Sequence, residues 1–429
     1  MVDVAGLKEH EFRDPVHGFI TVYAHEKEIL DTREFQRLRR IRQLGLQSYV
    51  YHGAEHSRFG HSIGVMQLAG EATVKIFDKN KEDLTKHLGD GVSPADLKKK
   101  LYFAARLAGL LHDIGHAPFS HSGEALFEKK RSHGDYGVEI IRNSRIASII
   151  DGYIDKTDVS TDDVINILDK HGIYSDGSFV KELISSPWDV DKMDYLLRDS
   201  IYCGVEYGTY DLRRLIDTLT LDKGYASGSL GLAIQEGGIH TIEQLILARY
   251  FMFTQVYFHD VRRAFDIILL EFIGDCLEEE YGTRTYPTSN DKYLKWDDDL
   301  ILTKAKEKAD GEKKNLAWRI IERKHYKKVY STFPHPDPTK VKRVTQLKDK
   351  CEEEFKDVKF WLDRAVDHPE KFTRVDLPIE RDNGEFESLV VESKVLAGLE
   401  EIEQCRIYAD VREDIDRFKE IEGFCNSFM

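Results

Sequence analysis

Residues 107–121 read LAGLLHDIGHAPFSH. An apolar helical run over Ala104–Leu111 ends in the doublet His112-Asp113, and Gly115 and Pro118 stop the helix there. Histidine is the commonest nitrogen ligand for a divalent ion, and aspartate offers a hard oxygen. Where the backbone stops being regular, adjacent His and Asp can both turn toward one ion. His116 and His121 follow closely. One histidine alone reads as a satisfied core or surface residue. Four ligand-type side chains after a run that favours a dry environment call for a shared partner, and a metal would serve.

Two further segments carry similar chemistry. In HSRFGHSIGV, residues 56–65, His61 opens a helix and Arg58 precedes it by three residues. That arginine reads either as a phosphate clamp, since guanidinium pairs bidentately with phosphate, or as an incidental charge at a helix start. In WDVDKMDYLLRD, Asp191, Asp194 and Arg198 recur at helical spacing with Tyr195 nearby. They form either a solvated acidic face or a carboxylate site at the edge of apolar packing by Trp188, Val190, Met193, Leu196 and Leu197. Arg33, Arg37, Arg39, Arg40 and Arg42 form a cluster that could hold a polyanion or pair with acidic neighbours. There is no G-x-x-x-x-G-K-[ST] loop, no G-x-G-x-x-G after a strand, no G-x-S-x-G elbow and no H-E-x-x-H helix.

Most of the first 275 residues must supply helices to position these groups. Apolar spacing predicts helices over Arg33–Leu46, Ser62–Phe77 and Lys98–His112, the last opened by Pro94 with Ser93 as its cap. Glu243–Leu277 predicts one long helix or two. Phe12–Tyr23 reads as a turn and a short strand, and Ala226–Ile234 as a strand pair. Residues 283–350 read as lysine-rich helices around a turn at FPHPDPTK. Beyond residue 371, strands at Leu389–Val391 and Arg406–Val411 precede a final helix. The expected fold is mainly α: a helical core (about 36–200) within a domain over 1–275, then a smaller α+β C-terminal region over 276–429. That region is expected to pack on the core and take part in oligomerisation.

The chain has 429 residues, enough for a substantial core, with 41% hydrophobic and 32% charged residues. A net charge of −15 argues against nucleic acid and anionic membrane surfaces as partners, so phosphate binding must be local. Five scattered cysteines without a C-x-x-C pair read as free thiols of a reducing cytoplasm. The first residues have no signal-peptide pattern. The most apolar stretch, near Phe265–Ile273, is too short and too charged to span a bilayer. A cytoplasmic protein is expected.

The order His61, His112-Asp113, Asp191 resembles the H…HD…D pattern of the HD-domain superfamily. FRDPVHGFI, DTREFQRLRRIRQLG, HSRFGHSIGV, GLLHDIGHAPFSH, DVDKMDYLLRD and GVEYGTYDLRRL extend the resemblance across roughly residues 10–260. They are similar to the deoxynucleoside triphosphate triphosphohydrolase branch, which includes animal enzymes that add a sterile-α-motif domain. The resemblance implies that His61, His112, Asp113 and Asp191 bind a metal. It further implies that Arg58, His116, His121 and Lys192 contact a triphosphate, and that His133, assisted by Glu124, supplies a proton. Gln43, Leu44, Tyr195 and Asp199 would surround the deoxyribose, with Arg249 and Tyr257 nearby. Asp31, Gln36 and Arg39 match positions of a nucleotide-activator site. The sequence departs from the animal pattern at Glu124, which replaces an aspartate, at Phe253, which replaces a histidine, and at His10 and Arg13 of the activator site.

The activity so implied is metal-dependent hydrolysis of dNTPs to deoxynucleoside and inorganic triphosphate. Two imidazoles and two carboxylates suit Fe, Mn, Zn, Co or Ni, while Mg suits the substrate phosphates. A homodimer or homotetramer is implied. The alternatives are a phosphohydrolase for another nucleotide, whether ribonucleotide, monophosphate or signalling nucleotide, and an inactive nucleotide-binding regulator.

Overall fold

A computed structural model of the chain describes residues 2, 4, 6–89, 91–169, 178–223, 230–367, 377–412 and 414–429. The architecture is mainly helical, with three small sheets among the described residues.

The chain enters through a hairpin, Glu9–Asp14 paired antiparallel with Gly18–Tyr23. Asp14 makes the turn: its Oδ1 accepts the Val16 and His17 amides at 2.8 and 3.0 Å, and Gly18 takes a φ of +76°. The strand predicted near Phe12–Tyr23 is thus two strands around one turn.

The core is built on two long helices, Arg58–Lys79 and Pro94–Leu111. Pro94 sits in the first turn and Ser93 Oγ accepts the Asp96 amide, as the sequence predicts. Val190–Cys203 crosses the Arg58–Lys79 helix; Asp189 caps its start and Gly204, at φ +68°, ends it. Gly64 permits this crossing, because a Cβ there would lie 1.9 Å from Asp194 Oδ1.

The expected Arg33–Leu46 helix is not continuous. A turn of helix, Arg33–Gln36, passes into a 3₁₀ turn, Arg37–Arg40, and the chain is extended at Ile41. The competing force is tertiary. Arg42 pairs with Ser57 in an isolated bridge, and the Arg58 amide donates to the Ile41 carbonyl at 3.0 Å. Gly45 then opens a second 3₁₀ turn at φ +58°.

The Glu243–Leu277 stretch is two helices, Ile239–Met252 and Asp260–Tyr281, joined by a π-helical turn over Phe253–Tyr257. The expected boundary near residue 275 falls inside the second of these. The pair expected at Ala226–Ile234 lies partly outside the described residues. Its second strand is Leu230–Gln235, paired with Leu219–Lys223. Leu389–Glu392 is a short helix, not a strand, because Ser388 Oγ caps it by accepting the Val391 amide. Ile402–Ala409 is the central strand of a sheet with Lys327–Ser331 and Phe360–Asp367. Helices Pro338–Glu354 and Ile415–Phe428 cover this sheet around a second apolar cluster that includes Val344, Leu347 and Ile407. The C-terminal sheet is tied to the Asp260–Tyr281 helix by Arg263 with Asp363 and by the Tyr408 hydroxyl donating to the Asp260 carbonyl.

Candidate metal centre and cavity

The Pro94–Leu111 helix ends at His112, so His112 and Asp113 leave the helix axis where the sequence predicts. His112 Nδ1 faces the Gly109 carbonyl at 2.7 Å. A carbonyl only accepts, so Nδ1 carries the proton and Nε2 keeps its lone pair. His61 is arranged alike: Nδ1 donates to Asp194 Oδ2 at 2.8 Å. Both Nε2 atoms are buried without a hydrogen-bond partner. They face the same oxygen, Asp191 Oδ1, at 2.9 Å from His61 and 3.6 Å from His112. Asp113 lies beside them, its Oδ1 3.3 Å from His112 Nε2 and its Oδ2 3.5 Å from His61 Nε2. The two imidazole nitrogens converging on Asp191 form a fitting donor set for one divalent ion, with the Asp113 carboxylate beside both rings. All four residues expected as metal ligands are therefore together.

Charge at this cluster follows from its composition. Burial lowers the His61 pKa, but Asp191, Asp194 and Asp113 outweigh it and raise the ring to about 10. Burial would raise the Asp113 carboxyl, yet Arg58, His112 and His116 hold it well below the usual range. Arg58 reaches Asp113 through Nη1 and Ser120 Oγ through Nε, the latter at 2.7 Å.

Next to the donors, three imidazoles gather around one carboxylate. Glu124 Oε1 stands 2.7 Å from His116 Nδ1, 3.0 Å from His121 Nδ1 and 3.2 Å from His133 Nδ1. Its length therefore lets it serve all three rings. Burial would raise the Glu124 carboxyl, but these histidines outweigh it and hold it well below the ordinary range. His133 begins the helix His133–Arg142 behind a Ser132–Asp135 capping box and stacks on His116 with centroids 4.0 Å apart. Gly115 allows that approach, since a Cβ there would come within 2.0 Å of the His133 carbonyl.

These groups open onto a cavity of about 620 Å³. Of the expected site residues, Arg58, His112, Asp113, His116, His121, His133, Asp191, Lys192, Gln43, Leu44, Tyr195, Asp199, Arg249 and Tyr257 line it. His61 and Glu124 stand behind the lining. Lys192 Nζ is held at the Asp189 carboxylate, 2.7 Å, and the Ser186 carbonyl, 2.9 Å. Arg249 forks onto Asp367 and lies over the Phe253 ring at 4.4 Å. Asp199 is gripped by His56 Nε2 at 2.7 Å and by the Tyr257 hydroxyl at 2.6 Å. The π-helical turn brings Tyr257 to that position. Asp31, Gln36 and Arg39 are outside the cavity. Asp31 pairs with Lys27, and Arg39 bonds Gln36 and covers Phe59.

Sequence reasoning left several supporting residues unassigned. Asp194 accepts from His61, His17 and Arg198, and Arg198 also forks onto Asp14. The i, i+4 spacing of Asp194 and Arg198 was visible, whereas their partners in the hairpin turn are far away in sequence. His56 stood in the same motif as His61 without a role.

The helical fold and buried His/Asp donor set define a candidate metal-binding centre. The HD domain family matches residues 58–199 and the HD associated region matches residues 210–406. The chain belongs to the HD-domain superfamily. It is 37% identical over 274 residues to an uncharacterized protein of Bacillus subtilis (strain 168), covering 62% of this chain and 55% of that one. It is 27% identical over 360 residues to the deoxynucleoside triphosphate triphosphohydrolase SAMHD1 of Gallus gallus, covering 75% of this chain and 56% of that one. The chain spans about half the length of the curated relatives it matches. The crystal structure of a hypothetical protein from Aquifex aeolicus superposes with a TM-score of 0.77 at 29% identity, covering 97% of this chain and 100% of that one. No helix among the described residues is long and apolar enough to cross a membrane.

Proposed function

We propose that the chain hydrolyses deoxynucleoside triphosphates to deoxynucleoside and inorganic triphosphate. The observation that carries this reading is the content of one cavity. It joins the metal donors, a group of cations and imidazoles, and the Asp199–Tyr257 pair with Tyr195 and Gln43. The first group suits phosphorus chemistry, the second a polyphosphate, and the third a sugar hydroxyl. The likeness to relatives named as dNTP triphosphohydrolases supports the same reading.

A divalent ion held by His61, His112, Asp113 and Asp191 would supply Lewis acidity toward the α-phosphoryl group. Manganese or iron suits the donors, with magnesium on the outer phosphates. Arg58, already oriented by Asp113 and Ser120, offsets charge on the phosphoryl oxygens. Water adds to the α-phosphorus as its bond to the 5′-oxygen breaks, and the 5′-alkoxide leaves poorly without a proton. His133 gives it that proton: Glu124 faces its Nδ1, which leaves Nε2 as the donating position. Asp199, fixed by His56 and Tyr257, accepts from the sugar 3′-hydroxyl. Activation by a nucleotide at Asp31, Gln36 and Arg39, assembly into a dimer or tetramer, and a cytoplasmic location belong to the same proposal.

The test is chromatography of a dNTP and NTP panel incubated with the manganese- or magnesium-loaded protein, with and without GTP or dGTP. Deoxynucleoside and triphosphate in equal amounts are expected. Stepwise di- and monophosphates, or equal turnover of ribonucleotides, would move the substrate to another nucleotide class. Tight binding without turnover would make the protein a nucleotide-responsive regulator.

A further inference from the structure

Asp298 is a buried carboxylate, 1% exposed, that lies outside the cavity lining. It opens the helix Asp298–Lys308, behind the Asp297 cap. Its Oδ1 accepts the Phe119 amide at 2.7 Å, and its Oδ2 accepts the Arg42 amide at 2.9 Å. Phe119 and Ser120 have φ of +57° and +58°, a left-handed backbone that side-chain-bearing residues avoid. A turn like this persists only where its surroundings fix it.

What the turn positions is chemically specific. Ser120 Oγ donates to the Arg42 carbonyl at 2.5 Å and accepts from Arg58 Nε at 2.7 Å. Arg58 in turn reaches Asp113, one of the metal donors. The Asp298 carboxylate therefore closes a frame of two backbone amides, one hydroxyl and one guanidinium. The same C-terminal segment grips this loop twice more. The Tyr293 hydroxyl donates to the Gly115 carbonyl at 2.8 Å. Buried Arg37 bridges the His116 and Trp296 carbonyls, each at 2.9 Å or less.

We infer that Asp298 is a positioning residue for the hydrolytic site: it locks the strained Phe119–Ser120 turn and, through Ser120, sets the Arg58 guanidinium where the phosphate must lie. The inference rests on the site being a phosphohydrolase centre and does not depend on which nucleotide is cleaved.

The test uses the full chain loaded with Mn²⁺. Asp298→Asn keeps the shape of the side chain but turns an amide N–H₂ toward one of the two backbone donors, so one bond is lost. Amide exchange of residues 113–121 should rise about tenfold, with the Arg58–Lys79 helix and bound manganese unchanged. On any nucleotide turned over, kcat should fall about ten- to hundredfold, with a smaller change in KM, because a misplaced group costs mainly at the transition state. Asp299→Asn, at an exposed neighbour, should match wild type. Wild-type exchange and kcat in Asp298→Asn would overturn the inference. If that variant does not fold, Tyr293→Phe takes its place: it should loosen the same loop, and unchanged exchange there would overturn the inference equally. If no nucleotide is hydrolysed, the exchange of residues 113–121 still decides it.

Discussion

His61 Nδ1 and Asp194 Oδ2 stand 2.8 Å apart, and both side chains are fully buried. Because a carboxylate only accepts, this contact keeps a proton on Nδ1 and aims Nε2 at the cluster of Asp191, Asp113 and His112.

Asp194→Asn should therefore weaken metal binding by about 10- to 100-fold while leaving all four donors in place. Metal analysis of the purified variant, with circular dichroism to verify the fold, measures this. Wild-type metal affinity in a folded Asp194→Asn protein would show that the contact does not orient the ligand.

Metal loading should release protons. In the metal-free site His61 is raised to about 10, so it is protonated at neutral pH, and a metal ion must displace that proton. The sign is set: apparent affinity climbs with pH, about tenfold per unit over pH 6–8 for each proton displaced. Calorimetry in two buffers of different ionisation enthalpy counts the protons. A pH-independent affinity would contradict the charge state drawn from Asp191, Asp194 and Asp113.

Glu124→Gln should spare the metal and lower kcat. Glu124 touches none of the four donors but faces Nδ1 of His116, His121 and His133. Losing its charge leaves His133 without its orienting partner, for an expected loss of about 100-fold in kcat. Full activity in Glu124→Gln would remove His133–Glu124 from the proton transfer.

Asp298 also makes a thermodynamic prediction. Burial pushes its carboxyl up to about 7, against the opposing amides of Arg42 and Phe119 and the charges of Arg42 and Arg37. A carboxyl raised above its unfolded value of 3.8 contributes stability that is fully present below that value and lost as pH rises to the folded one. The loss is about 4 kcal/mol across that window. Urea unfolding at pH 4.5 and pH 7.5 should show wild type losing more stability than Asp298→Asn over this interval. Equal losses would refute it.

The His112-Asp113 doublet stood out because a helix-ending run of ligand-type side chains among apolar residues needs a common partner, whereas His61 and Asp191 read two ways until the resemblance joined them to it. Tyr195 and Asp199 were expected at the site only through the resemblance. The supports were not. Asp194 and Arg198 read equally as part of a solvated acidic face, and only the fold brings Asp14 and His17 of the hairpin against them. Asp298 is one acid among three in WDDD, and nothing in the sequence marks its contact with Phe119, 179 residues away. The discontinuity of Arg33–Leu46 was hidden for the same reason. Apolar residues at Phe35, Leu38, Ile41 and Leu44 fit a helix, but pairing of Arg42 with Ser57 competes for the backbone. Local periodicity carries no information about such a partner.

The hairpin turn bears on where the chain can be cut. The segment matched as HD domain begins at Arg58 and ends at Asp199. Yet Asp14 and His17 anchor it from before, and Tyr257 and Asp298 from behind. Residues 58–199 are therefore not a self-sufficient unit: the side chains that line the cavity are held in place from outside that range. A fragment cut at those bounds would leave Asp194, Arg198, Asp199 and the Phe119 amide without the partners that hold them here.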